Sequence, residues 1–423
     1  MNAANNCGVN LGEMTVIGSG IVGLASALNL QRAGFKVSLL DKEGIAAGAS
    51  QGNAGHFATE QVFPLANPSL LHQLPWMLID PLGPFRIRPK YFYRAFPWFM
   101  RFLLNMLPER RAQNSLAIKA LNEHSIKEMK DLLAFCGCKE LLHLNGSLLV
   151  FEGNSIKEVE REWRMYSNAG VDVELLTGQQ VRELEPSLSE HISHGLFFTQ
   201  VGHTPDPYQM CVAIADKFKA LGGEFKVAKV DAIIEESQRV TILIDGEQKI
   251  STTKLLLTAG AWSKPLAKQL GHNVPLEAER GYHLMMPQDA KLSRPVASYN
   301  RKFIITPMAK GTRLAGTVEF GGLDAPMSPA RADCFLPHAK ALLPTVFTNA
   351  NANDGTRWMG FRPSLPDSLP VIGKTKLNNI YVSFGHQHLG LTWSAISAKL
   401  VTETILEKET TLNMLPYSID RFS

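Results

Sequence analysis

The chain is poor in several features that mark special classes of protein, and each shortage removes a class. Its 423 residues contain five cysteines, an odd number scattered along the chain, so no disulfide framework is expected. Cys136-Gly-Cys138 is too tight for a usual zinc pair and has no second pair elsewhere, which argues for a reduced, cytoplasmic protein without a metal centre. Neither charge dominates: 43 Lys and Arg against 39 Asp and Glu leave +4, too mild an excess for a nucleic-acid binder. The first basic residue is Arg32, so the apolar stretch 14–30 lacks the basic flank of a signal peptide. That stretch is also short for a membrane span and is broken by three glycines. There is no internal repeat and no low-complexity segment. A 45% hydrophobic and 19% charged composition then describes a soluble globular chain with core enough for about two to three domains.

The glycines in that apolar stretch have a pattern. Residues 14–18 form a short β-branched run, as a buried parallel strand should, and Gly18-Ser-Gly20-Ile21-Val22-Gly23 follows directly. Ile21, Leu24, Ala25 and Leu28 then recur at helical spacing, with Arg32 in the last turn and Gly34 to end it. A second strand, 35–41, closes on Asp41 about twenty residues after the glycines. Gly18 allows a tight turn, Gly20 lets the backbone approach a pyrophosphate, and Gly23 permits close helix–strand packing. Asp41 can accept from a ribose hydroxyl. The unit reads as a dinucleotide site. The loop of small residues 44–56 that follows suggests backbone threaded against a large flat ligand.

At this loop the sequence resembles the D-amino acid oxidase family of FAD-dependent amine oxidoreductases, and within it the D-amino acid dehydrogenases. Ser50, Asn53, Ala54 and Gly55 match the family's Ser-x-x-Asn-Ala-Gly loop; His56 departs from it, which leaves open a contact with substrate or a supporting role. Residues 255–263 match a strand ending in Ala-Gly260-Ala-Trp-Ser. Residues 360–373 resemble the Gly-x-Arg-Pro motif around Arg362 and Asp367, with Ser368 in place of the usual Gly. Residues 379–392 resemble the strand–turn–helix that closes the flavin site. The resemblance implies an α/β fold: a Rossmann-like FAD-binding domain of the glutathione-reductase type with an inserted α+β substrate domain built on an antiparallel sheet. It implies FAD contacts from Gly18, Gly20, Ile21, Val22, Gly23, Asp41, Lys42, Ser50, Asn53, Ala54 and Gly55. Further contacts would come from Val230, Gly260, Asp367, Gly385, His386, Leu389, Gly390 and Thr392. Independently of the resemblance, the glycine-rich turn before residue 390 would aim helix N–H groups at the negative charge of a reduced flavin.

The resemblance implies that Arg362 clamps a substrate carboxylate, and the chemistry agrees, since a guanidinium fork meets a carboxylate bidentately. His56 and Tyr282 are the other catalytic candidates, with His283, Tyr299 and Phe303 as further wall residues. The expected reaction is hydride transfer from Cα of a small D-amino acid to FAD, giving an imine. The segment 56–64 resembles dehydrogenases that act on D-proline or cis-4-hydroxy-D-proline. The expected acceptor is respiratory or dye-like; an oxygen-using oxidase of glycine or sarcosine type and a flavoprotein subunit of a larger complex stay open.

The nucleotide domain is expected from 14–65, 201–265 and 359–410, and the substrate domain from 66–200 and 266–358. Within the former, a helix over 209–221, strands over 224–237 and 239–244, and an Asp245-Gly246 hairpin are predicted. Residues 85–104 interleave Arg86, Arg88, Lys90, Arg94 and Arg101 with aromatics, and no acid lies between Asp80 and Glu109. This reads either as an amphipathic segment packed on the substrate domain or as peripheral contact with the inner face of the cell membrane.

Overall fold

The computed structural model describes residues 11–68 and 80–422; Cys7 lies outside them, and the other four cysteines are free thiols. Two large sheets organise the chain. The first has six strands in the order Val371–Lys374, Ile380–Phe384, Lys254–Leu257, Glu13–Ile17, Lys36–Asp41, Glu224–Val227. All neighbours are parallel except the Val371–Lys374 edge. The first strand of the sequence therefore sits mid-sheet, with later strands added on both sides, and this reversal opens a crevice at the strands' carboxyl ends. The helix Ile21–Ala33 leads out of that crevice. It ends at Gly34, whose left-handed φ of 110° lets its N–H reach back to the last carbonyls. The helix Gly390–Ile405 packs on it, and the long helix Pro108–Cys136 packs on that in turn. Leu121, Met129 and Leu133 of the long helix share a core with Leu24 and Leu28, so this part of the 66–200 insert is welded to the nucleotide core.

The strand expected over 224–237 is two strands. Glu224–Val227 closes the six-stranded sheet, whereas Val230–Glu235 pairs with Val240–Ile244 in a separate three-stranded sheet. The break falls where the Ala228 N–H is taken by the Asp41 carbonyl and the Lys229 N–H by the Asp245 carboxylate. The hairpin turn is as read: Asp245 and Gly246 both have positive φ, 48° and 89°.

The second sheet has nine strands and is antiparallel apart from two parallel joins, Val296–Ser298 with Ser147–Glu152 and Phe85–Ile87 with Gly311–Phe320. Its strand Glu277–Met286 lies between Gly311–Phe320 and Thr356–Ser364. Residues 359–364 thus pair with the substrate-side sheet although they stand next to the nucleotide-side strands in sequence. Side chains alternate across this sheet. The register puts Glu279, Gly281 and His283 on one face with Arg362, Gly360 and Trp358, facing the crevice. Tyr282, Leu284 and Met286 take the other face, where they pack with Ala332, Phe335 and Ala339. Among the described residues no helix is long and apolar enough to cross a membrane.

Candidate active site

One cleft runs from Val230 past Gly18 and Gly20, along the 48–54 loop, to Gly281, Trp358 and Arg362. At its nucleotide end the glycines are required by close approach. Gly18 has φ 105°, and a Cβ there would stand 2.5 Å from the Thr258 carbonyl oxygen; a Cβ on Gly23 would stand 1.8 Å from the Gly18 oxygen. The Thr258 hydroxyl ties this turn to the sheet by donating to the Ile17 or Gly18 carbonyl, at 2.8 and 3.0 Å. Ile21, Val22, Asp41, Lys42 and Gly260 line the cleft with them. The Asp41 carboxylate ends its strand by accepting the Ser19 and Glu43 N–H groups at 2.7 and 2.9 Å. Lys42 lies over the Trp262 ring at 3.9 Å.

The loop that follows is held by its own side chains. Ser50 Oγ accepts the Ile21 N–H at 2.9 Å, which brings the loop onto the start of the helix. Asn53 donates to the Ser50 carbonyl and accepts the Gly55 N–H, both at 2.7 Å. Ser50, Asn53 and Ala54 line the cleft, whereas Gly55 (φ 68°) packs beneath it against the Thr204 carbonyl. His56 sits next in a two-residue strand paired with His203. Its Nε2 is 3.6 Å from Glu60 Oε1, and both side chains are buried. Burial, then His203 and His388, hold the imidazole at about 3; burial lifts the Glu60 carboxyl to about 8. At neutral pH the pair is therefore an uncharged imidazole beside a carboxylic acid. Neither group lines the cleft.

The turn before the helix Gly390–Ile405 brings Gly385, His386, His388 and Gly390 to the cleft. His386 spends its Nε2 on Ser397 Oγ at 2.9 Å, and burial holds it neutral, at about 3. His388 bonds Gln61 Oε1 at 2.5 Å. Leu389 is in the hydrophobic core. Thr392 Oγ1 accepts the Ala58 N–H at 3.1 Å, so its hydroxyl joins two segments of chain and does not line the cleft. Asp367 also stands apart: it pairs with Arg421 at 2.8 Å and accepts the Leu369 N–H, and it lines a second groove on the far side of its turn.

At the substrate end Arg362 lines the cleft. Its guanidinium lies over Gly281, where a Cβ would fall 2.6 Å from Cζ. Nη1 donates to the Thr317 carbonyl at 3.2 Å, and among the described residues the side chain makes no ion pair. Burial lowers its pKa, opposed by the nearby Glu279. Tyr282 lines the cleft, but not with its hydroxyl. Its position in the strand sends its hydroxyl to the opposite face, where it donates to Glu319 at 2.6 Å beside Arg280 and Arg88. Tyr299 stacks on Phe151 and Phe303 on Phe335, both away from the cleft. His283 faces inward, donating from Nδ1 to the Gly52 carbonyl at 2.9 Å. Its ring stacks on Trp358 at 4.9 Å. Trp358 is the wall residue that motif reading passed over. Its indole fills the space between Gly52 and Gly360, so that a Cβ on either would meet it at 2.2 or 2.1 Å.

A dinucleotide turn at a sheet's carboxyl edge, continuous with an unpaired arginine under a second sheet, is what a flavin and an anionic substrate require together. The FAD dependent oxidoreductase (DAO) family model matches residues 13–404. The chain belongs to this family, and FAD is its cofactor. It is 32% identical over 416 residues to a protein of Bradyrhizobium diazoefficiens named D-amino-acid oxidase, covering 97% of this chain and 99% of that one. It is 28% identical to a D-amino acid dehydrogenase of Vibrio cholerae with the same coverage. Among solved structures, glycine oxidase from Geobacillus kaustophilus has the same fold, with a TM-score of 0.72 at 19% identity over 96% of this chain and 98% of that one.

Proposed function

We propose that this enzyme oxidises a small amino acid of D configuration at its Cα–N bond, giving an imine. The observation that carries the reading is Arg362, a half-buried guanidinium that among the described residues makes no ion pair, opening on the cleft that begins at the dinucleotide turn. FAD, when bound, supplies the two-electron acceptor for the Cα hydride. The turn Gly18–Gly23, Asp41, Lys42, the 50–55 loop, Val230, Gly260 and the 385–390 turn would hold it. Asn53, Gly55, Leu389 and Thr392 act there by fixing backbone, and Asp367 by fixing its own turn against Arg421. Arg362 binds the carboxylate and so fixes which enantiomer turns its Cα–H toward the ring. Trp358, backed by the stacked ring of His283, closes the far wall and limits the side chain to a small one. On the resemblance of residues 56–64 the substrate is a ring amino acid, D-proline or cis-4-hydroxy-D-proline.

Anaerobic mixing of the yellow holoprotein with matched D- and L-amino acids, both prolines and hydroxyprolines included, tests this directly. Bleaching of the flavin by a D-set alone is expected. Bleaching only by L-isomers, or by none, removes the assignment.

We assign the electrons to a respiratory or dye-like acceptor, with docking on the inner face of the cell membrane through 85–104. The helix Phe92–Leu104 presents Phe92, Tyr93, Phe96 and Met100 to solvent beside Arg94 and Arg101, the pattern of an interfacial helix. Cosedimentation with anionic vesicles, lost in Phe96→Ser, is expected; rapid oxygen consumption by the reduced enzyme would instead make it an oxidase.

A further inference from the structure

Arg362 has a neighbour for which the proposed oxidation has no use. Glu279 stands directly opposite it in the antiparallel pair, so both side chains leave the same face of the sheet. The Glu279 side chain is 4% exposed and accepts a hydrogen bond from Ser364 Oγ at 2.7 Å. The helix Phe92–Leu104 seals it from outside: the Trp98 indole donates to the Ser364 carbonyl at 3.3 Å and packs on Phe320, the partner of Glu279 on its other flank. Glu277, two residues earlier on the same face, is fully engaged by Lys264 at 2.7 Å and Tyr91 at 2.6 Å. Glu279 has no such cation in contact. Burial raises its carboxyl above the ordinary range, and Arg362 and Ser364 pull it back.

This arrangement gives the cation a carboxylate as its strand partner, and on the cleft side, among the described residues, no ion pair. A buried guanidinium without any counter-charge is costly, and one locked in a direct ion pair would resist exchange. A carboxylate set one step back does neither. It supports the cation at rest and is displaced electrostatically when a carboxylate makes the bidentate contact from the cleft.

We propose that Glu279 is a positioning residue that sets the strength of the Arg362 clamp: it shares the guanidinium's charge from behind and competes with the carboxylate entering from the cleft. The proposal rests on the reading of Arg362 as the carboxylate site. It has a consequence of unusual sign: removing the charge while keeping the shape tightens binding.

The experiment uses the flavin-loaded enzyme and propionate as an unreactive carboxylate, with propionamide as its uncharged match, read by perturbation of the flavin spectrum. Glu279→Gln should lower the Kd for propionate, and KM for the amino acid, by roughly five- to tenfold, the scale of a partly screened charge pair. Propionamide binding should not move, and kcat should not rise. Unchanged or weakened propionate binding overturns the role of Glu279. Arg362→Ala is measured alongside. If it leaves propionate binding intact, the clamp itself is misassigned; if it abolishes binding while Glu279→Gln changes nothing, only Glu279 falls. Should Glu279→Gln not take up flavin, Ser364→Ala keeps the charge and frees the carboxylate toward Arg362. It should weaken propionate binding, and tightening or no change overturns the proposal.

Discussion

The two ends of the cleft are made from different parts of the chain. At the nucleotide end the work falls to backbone: the turn at Gly18, the packing at Gly23 and the start of the helix Ile21–Ala33 admit no Cβ where they cross. At the substrate end it falls to side chains standing on one face of a sheet, Arg362, His283 and Trp358, with Gly281 and Gly360 leaving them room. Backbone-built sites are rigid and recur as short sequence motifs. Side-chain sites depend on which way a strand faces, and a neighbour one position away takes no part.

The sharpest way to break this comparison is Gly23→Ala. Its Cβ would meet the Gly18 carbonyl at 1.8 Å, backbone that cannot step aside, so flavin content of the purified protein should fall by about tenfold or more. Full flavin loading would show the turn to be pliable. Arg362→Ala should do the reverse, keeping its flavin while KM rises by about a hundredfold or more, as for loss of one partner of a charged contact. Unchanged turnover at low substrate would sink the clamp. Tyr282→Phe comes next. With its hydroxyl on Glu319, the variant should lose a few degrees of Tm while kcat stays within about threefold. A thousandfold loss of kcat would return that hydroxyl to the reaction.

The smallest effect expected is at Glu60, beneath the loop. Its carboxyl titrates at about 8 in the fold against an ordinary 4.5, so the native state keeps a proton that the unfolded chain releases. Stability from this group is present below about 4.5 and is lost as pH rises to about 8. His56 works the other way, adding stability as pH rises from about 3 to 6.5, so the interval from 6.5 to 8 belongs to Glu60. Glu60→Gln should flatten the fall of Tm across that interval; an unaltered slope would mean that the carboxyl is ionised in the fold.

Much of the nucleotide end was legible in sequence because strand, glycine turn, helix and acid are contiguous, and each glycine answers to a local need. Arg362 was legible through its proline-flanked motif. The direction of the Tyr282 hydroxyl was not legible, because an aromatic in an alternating strand reports burial, not side; here the side is decided by pairing with Thr356–Ser364, some eighty residues away. Trp358 carried a weak signal in the glycines at 52 and 360, which become meaningful only when folding brings them to one indole. Thr392 and Asp367 sit inside matching motifs yet serve the chain itself, through Ala58 and Arg421. The 224–237 run concealed two strands because both halves mix apolar and charged residues in the same way and only their partners differ.

The strand order of the six-stranded sheet also bears on how the protein is made. The first strand, Glu13–Ile17, is flanked by Lys254–Leu257, which in turn waits for Ile380–Phe384. A growing chain thus carries its dinucleotide motif from the outset without the wall it needs, and it must hold the long helix Pro108–Cys136 in trust until Gly390–Ile405 arrives to cover it. A chain stopped short of residue 384 thus lacks a strand of this sheet and the 385–390 turn of the cleft, and leaves the edge at Lys254–Leu257 unpaired.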